Sequence, residues 1–353
     1  MAAIRVLVVE DSLTVRKQLC KILASDPEIA VVGEAEDGKK AIELCLALRP
    51  DVITMDMVLP VMSGLSATEY IMAHCPTPIL VVSSSVNRGE VFKTFEALAA
   101  GAVDVLEKPS GRETGTTWES AFISTVKLVS RIRVITHPRA RLGLFGRPAV
   151  NVGTGIQKYF ESSRPCSVVA IGTSTGGPAA LAEILGGLPR DFVIPILVVL
   201  HMSESFGLSF AEWLDGQIDR PVASARDGES LKSAAGRVVI APPGRHLTIH
   251  CGRFHLTSDP ERHSCRPSVD VLFESVAEEV GSSAAACLLT GMGRDGAAGL
   301  LSIRLAGGLT IAQDEATSVV YGMPREAIAL GGAERVVPLG EIGPLLASLS
   351  PAT

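Results

Sequence analysis

Short, uninterrupted apolar runs recur along this chain, separated by stretches in which apolar residues return every three or four positions. In the first third the runs fall at residues 4–9, 30–33, 52–55, 79–82 and 103–106, with helical spacing between them at 15–24 and 39–47. Asp37-Gly38 marks the start of the second of those helices. Uninterrupted runs suit strands buried on both faces, and their alternation with helices predicts a parallel sheet covered on both sides. A helix over residues 119–134 is expected to close this first domain, residues 1–134.

The pattern lapses over residues 135–164. Pro138, Pro148, several glycines, Arg139, Arg141 and Arg147 mix there without an apolar period, which predicts an inter-domain linker. Composition favours a solvated connector over a dock for an acidic partner. The rhythm resumes over residues 165–353, with strands expected at 167–171, 196–200, 237–241, 286–290 and 309–312. Residues 246–250 and 253–257 flank Cys251-Gly252 and predict an antiparallel hairpin. The fold class expected is α/β in both halves, each doubly wound, the second mostly parallel with one hairpin.

Composition narrows the function. With 353 residues, 47% of them hydrophobic, the chain can fill two cores. A formal charge of −6 argues against the basic footprint of a nucleic-acid-binding protein. Seven cysteines (Cys20, Cys45, Cys75, Cys166, Cys251, Cys265 and Cys287) form no C-x-x-C pair and predict reduced thiols. No signal-peptide architecture precedes the first strand, and the longest apolar run, residues 193–200, falls well short of the ~20 residues of a membrane span. A soluble cytoplasmic protein without membrane insertion is expected.

The chemistry collects where the runs end. Glu10 and Asp11 follow the first, Asp56 the third, Ser83 the fourth and Lys108 the fifth. In an open parallel sheet these ends converge on one crevice. Crowded carboxylates there call for a hard divalent cation, and acids with a hydroxyl and a lysine around Mg2+ suit formation of an aspartyl phosphate. Taken singly the same residues are helix caps; together they form a site.

In the second half, Gly172-Thr173-Ser174-Thr175-Gly176-Gly177-Pro178 follows an apolar run and opens onto a helix. Such a turn lifts a serine hydroxyl above the sheet edge and aims backbone N–H groups at its target, although a simple anion-binding turn has the same outline. A serine needs a base, and His201 ends the next run. Asp295, between Gly293 and Gly296, can hold that histidine in one tautomer. The order Ser174, His201, Asp295 differs from ordinary α/β-hydrolases, where the acid precedes the histidine. His246, His250, His255 and His263, with Cys251 and Cys265 nearby, show no metal-ligand spacing.

Residues 1–130 resemble the receiver domain of bacterial response regulators, a (βα)5 fold. The resemblance implies that Asp56 is the phosphoacceptor, Glu10 and Asp11 are metal ligands with it, Ser83 is the switch hydroxyl and Lys108 contacts the phosphate. It departs at Val105, where many receivers carry an aromatic. The blocks Gly172 to Pro178, His201-Met202, Arg266-Pro267-Ser268-Val269-Asp270 and onward, Gly291 to Gly296 and Ala312 to Pro324 resemble the chemotaxis protein-glutamate methylesterase family (CheB). That implies a phosphorylation-activated hydrolase of glutamate methyl esters, also a glutamine deamidase, acting on methylated chemoreceptors. The resemblance further implies that a histidine kinase of a chemosensory array supplies the phosphate, that Mg2+ serves only the receiver, and that the unphosphorylated receiver blocks the catalytic face; a monomer is expected. Ser174 is then the nucleophile, His201 the base and Asp295 its orienting acid. Thr175, Gly176, Gly177 and Met292 are candidates for the oxyanion hole; Arg266 and Ser268 either line the substrate groove or fix their loop. Two other readings stay open on the residues alone, a non-enzymatic adaptor and an esterase of unrelated substrate.

Overall fold

The computed structural model describes residues 3–84, 87–109, 115–132, 134 and 165–351. The chain divides into two compact units, residues 1–148 and 149–353. The linker expected at 135–164 lies outside the described residues, as do the side chains that would define it.

The first unit is a parallel sheet of five strands in the order β2-β1-β3-β4-β5: β1 (Ile4–Val9), β2 (Ile29–Ala35), β3 (Val52–Met55), β4 (Ile79–Ser83) and β5 (Asp104–Glu107). Helices α1 (Leu13–Ala24), α2 (Gly38–Leu48), α3 (Gly64–His74), α4 (Arg88–Ala99) and α5 (Gly115–Val129) connect and flank them. The central strands are buried along their length, as uninterrupted apolar runs require, whereas edge strand β2 is only half-buried. Asp37 caps α2 by accepting the Lys40 N–H at 2.9 Å, as Asp37-Gly38 predicts. The expected closing helix is shifted: α5 ends at Val129 rather than at residue 134, because the last buried apolar contact is Val129 itself.

The second unit begins with β6 (Pro165–Cys166) and β7 (Val168–Thr173), then α6 (Gly177–Gly186), β8 (Ile196–Leu200), α7 (Glu204–Asp215), β9 (Val222–Ser224) and β10 (Val238–Ile240). The hairpin β11 (His246–His250) and β12 (Arg253–Thr257) follows, antiparallel as expected, with His250 opposite Arg253. Then come α8 (Val269–Val280), β13 (Ala284–Leu288), α9 (Ala297–Leu305), β14 (Leu309–Gln313), α10 (Met323–Ala329), β15 (Arg335–Val337), α11 (Leu339–Ala347) and β16 (Ser350–Pro351). Seven of these strands form one parallel sheet in the order β15-β14-β13-β7-β8-β10-β9. Three-residue edge strands β9 and β15 are too short for a periodicity to register in sequence.

Helix α8 shows how the core positions the site. Val269, Leu272, Phe273 and Val276 recur at helical spacing and are all fully buried. They pack with hairpin residues Leu247, Ile249 and Phe254 and with Leu288 and Leu300. Each such side chain contributes roughly 1.5–3 kcal/mol by leaving water, so the N-terminus of α8 is fixed firmly beside the ends of β7 and β13. Among the described residues no helix is long and apolar enough to cross a membrane.

Candidate functional site

In both sheets the polar residues of interest sit at the C-terminal ends of strands. The second sheet turns back on itself between β7 and β13, since the chain runs outward from β7 to β8 and later returns to β13. Ligands in open α/β sheets bind at such a switch point.

Ser174 lies one residue past β7. It is the one half-exposed residue in an otherwise buried stretch from Val168 to Pro178. The turn is possible because Gly176 takes φ +80°, a left-handed conformation that also caps α6. Two backbone bonds set the neighbouring loops against it: the Ser174 N–H donates to Thr290 O at 3.0 Å, and the His201 N–H to Thr173 O at 3.0 Å. Gly291 presses directly on Ser174; a Cβ there would approach the serine Cβ to 2.8 Å. Thr290 in turn donates its N–H to Gln313 Oε1 at 2.8 Å, and the Gly291 N–H bonds Val320 O at 2.9 Å. These bonds explain why the block from Ala312 to Pro324 accompanies the serine motif.

The His201 Nε2–H donates to Asp295 Oδ2 at 2.8 Å. Asp295 is 2% exposed. Its other contacts come from the start of α8: the Ser268 hydroxyl at 2.7 Å, the Val269 N–H at 2.7 Å and the Asp270 N–H at 3.1 Å. Burial pushes the Asp295 carboxyl up, but the bonds from His201, Ser268 and Val269 outweigh it and hold the group below the usual aspartate range. For His201, burial pulls the ring down, while the bond to Asp295 and the nearby Cys265 sulphur raise it further, above 6.5. The Cys265 sulphur lies 3.8 Å from the other ring nitrogen, Nδ1.

The remaining candidates separate by placement. Ser268 is wholly buried and caps α8, so it fixes Asp295 and does not face a groove. Arg266 donates to Ser258 O at 3.3 Å and Asp259 O at 3.1 Å, which ties its loop to the hairpin end. The Gly177 N–H already donates to Ser174 O at 2.7 Å within the turn, which removes it from the oxyanion set. Thr175 is buried and accepts from the Thr290 hydroxyl at 2.9 Å through its carbonyl. The N–H groups of Gly176 and Met292 make no hydrogen bond among the described residues. Met292 is 59% exposed beside the serine loop. Sequence reasoning missed a second histidine–aspartate pair, between exposed His263 and buried Asp270: Asp270 accepts from His263 Nε2 at 3.1 Å and from the Gly299 N–H at 2.7 Å, and Arg294 Nε donates to His263 Nδ1 at 3.2 Å. Ser268 before Val269 at a helix start was the available signal for the α8 cap.

In the first unit Glu10, Asp11 and Asp56 gather at the ends of β1 and β3, with ligand oxygens within 4.8 Å of one another. Lys108 Nζ sits 2.8 Å from both Glu10 Oε2 and Asp56 Oδ2. One ammonium against three carboxylates leaves a net negative pocket of hard oxygen donors, which fits Mg2+. Burial raises the Asp56 carboxyl above its usual range despite Lys108, and raises Glu10 likewise. Ser83, fully buried, turns its hydroxyl to Glu90 Oε1 at 2.8 Å, and the Ser84 hydroxyl reaches the same oxygen at 2.7 Å. Glu90 escaped notice in the sequence because only the loop after β4 brings it to Ser83. Val105 is half-buried on β5.

Comparison with known proteins identifies both halves of the chain. Residues 6–117 match the response regulator receiver domain, and residues 169–346 match the CheB methylesterase family. The chain is 44% identical over 355 residues to a protein-glutamate methylesterase/protein-glutamine glutaminase of Syntrophus aciditrophicus, covering 98% of both chains. A protein of the same name from Anaeromyxobacter dehalogenans is 43% identical, covering 98% of this chain and 97% of its own. The crystal structure of the Thermotoga maritima CheB methylesterase catalytic domain is 39% identical and covers 53% of this chain and 98% of its own, with a TM-score of 0.49. The chain belongs to the CheB family of protein-glutamate methylesterases/protein-glutamine glutaminases, with a response-regulator receiver ahead of the methylesterase domain.

Proposed function

We propose that this protein hydrolyses glutamate methyl esters on methylated chemoreceptors, deamidates receptor glutamines, and is switched on by phosphorylation of Asp56. The observation that carries the reading is the buried, four-bonded Asp295 on His201 Nε2 beside the half-exposed Ser174.

With Nε2 committed to Asp295, Nδ1 is the nitrogen left to take the Ser174 proton. The serine oxygen adds to the ester carbonyl, and the resulting oxyanion meets the N–H of Gly176, with Met292 as the second candidate donor. Each such donor is worth roughly 2.7–4 kcal/mol in the transition state. The imidazolium gives its proton to the leaving methoxide, or for an amide to the departing nitrogen, which leaves as ammonia, and an acyl-serine remains. Water then gives a proton to His201 and its hydroxide to the acyl carbon, and Ser174 recovers its proton as the glutamate departs. Asp295 keeps one tautomer and stabilises the imidazolium throughout.

In the receiver, Asp56 is the phosphoacceptor and Lys108 the group that holds the phosphoryl oxygens. Glu10, Asp11 and Asp56 would hold Mg2+, which supplies neutralisation of the phosphoryl charge. Ser83 must leave Glu90 to reach a phosphoryl oxygen, so Glu90 is the latch of the switch. A histidine kinase of a chemosensory array is the natural phosphodonor. The protein acts in the cytoplasm as a monomer, and residues 1–134 and 165–353 are its receiver and catalytic domains joined by a linker. The test is methanol release from a methylated receptor fragment: the intact protein should release it and Ser174→Ala should not. Equal release by Ser174→Ala would remove the serine mechanism.

A further inference from the structure

Asp295 takes the Nε2–H of His201, so the Nδ1 lone pair points away from the carboxylate, and the structure sets a thiol against it. Cys265 Sγ lies 3.8 Å from Nδ1. Its other contact is His263 O at 3.4 Å, a weak bond to a backbone carbonyl. Both side chains are half-buried and so remain open to solvent ions.

We propose that His201 Nδ1 and Cys265 Sγ form a two-point site for a soft divalent cation, Zn2+ foremost, whose binding blocks the hydrolase. A zinc ion joins sulphur at about 2.3 Å and nitrogen at about 2.0–2.1 Å, so two tetrahedral ligands stand about 3.6 Å apart. The observed 3.8 Å needs a shift of only tenths of an ångström. The backing carboxylate is the usual partner of a metal-bound imidazole, since it fixes the tautomer and raises the basicity of the free nitrogen. Here three further bonds to Asp295 hold that carboxylate in place. Binding forms a Zn–S and a Zn–N bond and releases the thiol proton to water; waters complete the coordination.

The donor set also separates this site from the receiver. Glu10, Asp11 and Asp56 offer only oxygens and suit Mg2+, whereas an N/S pair rejects Mg2+ and favours zinc. Millimolar Mg2+ in a phosphorylation assay therefore leaves the catalytic histidine untouched, while zinc removes it. The inhibitory consequence rests on the proposed role of His201 as base; the ion site itself does not.

The experiment uses the full chain and Co2+ as a spectroscopic probe, followed by zinc inhibition of ester hydrolysis. Co2+ should produce a thiolate-to-cobalt charge-transfer absorption in the wild-type protein and in Cys251→Ser, and none in Cys265→Ser or Cys265→Ala. Because outer partners of a metal ligand are already worth 10–100-fold, losing the sulphur should weaken zinc inhibition at least about tenfold, each variant compared with its own zinc-free rate. Chelation should restore the wild-type rate. A band that persists in both Cys265 variants, a band lost in Cys251→Ser, or no band at all overturns the site. A Cys265-dependent band without inhibition means that the ion sits on the thiolate without His201 Nδ1 and overturns the two-point site; the role of His201 as base is judged separately, by the acid limb of the zinc-free pH profile.

Discussion

Asp56 and Asp295 are the same residue type in corresponding places, buried beyond the C-terminal end of a parallel strand, and their surroundings treat them in opposite ways. Asp295 accepts an imidazole N–H, a hydroxyl and two backbone N–H groups, and its carboxyl is held below the usual range. Asp56 accepts Lys108 at 2.8 Å and a long 3.4 Å contact from the Val58 N–H, and burial raises it. Saturated hydrogen bonding makes a carboxylate a fixed orienting charge with no lone pair to spare. An under-bonded carboxylate keeps an oxygen free to attack phosphorus. On the proposed roles, one aspartate is a fixture and the other a reactant, and the difference lies in the donors around each.

Substitutions sharpen this contrast. The largest effect is expected for Ser174→Ala, a loss of at least about 10^4-fold in kcat for methyl-ester hydrolysis, with little change in folding. Asp295→Asn should cost a comparable factor of about 10^4 in kcat, because an amide no longer stabilises the imidazolium. It should also lower the stability of the second unit by about 3 kcal/mol, read from denaturant unfolding, since two backbone N–H groups lose their anion. The pH profile carries the sign. His201 must be neutral to accept the serine proton, and its pKa is raised, so wild-type activity should fall on the acid side with an apparent pKa above 6.5. In Asp295→Asn the residual activity should lose that limb at lower pH, because the bond that raised the ring is gone. An unmoved limb would show that Asp295 does not act on His201.

Smaller effects separate fixture from reactant. Ser268→Ala deletes one of the four bonds to Asp295 and should lower kcat by roughly 10–100-fold, in line with ~1–3 kcal/mol for a buried bond to a charged group. Asp56→Asn should do the reverse to stability. A folded pKa above the unfolded value means the ionised carboxylate opposes folding at neutral pH, so the neutral side chain should stabilise the first unit, read as a higher denaturant midpoint. A loss of stability comparable to that of Asp295→Asn would erase the contrast between the two aspartates.

The residues proposed to react were legible because each follows an uninterrupted apolar run, and a buried parallel strand delivers its next residues to the same edge of the sheet. Ser174, His201, Asp56 and Lys108 follow from that rule alone. Their supporting residues were not legible. Ser268 reaches Asp295 across 27 positions, and Cys265 reaches His201 across 64, with nothing local to announce either. Glu90 looks like an ordinary first-turn acid of α4, yet it faces inward and holds Ser83. The Gly177 N–H reads as an oxyanion donor from its place in the motif, but the tightness of the turn spends it on Ser174 O. Sequence position tells which strand end a residue occupies; which hydrogen bonds remain free there depends on loops that meet only in three dimensions.

The most direct test of the central claim, that an aspartate left free to react governs a site whose aspartate is locked, is the rate of methanol release from a methylated receptor fragment with and without a small phosphodonor and Mg2+. The rate should rise with phosphodonor in the wild-type protein and stay flat in Asp56→Asn, with Ser174→Ala silent in both conditions. Equal stimulation of Asp56→Asn, or a wild-type rate indifferent to the phosphodonor, would contradict it.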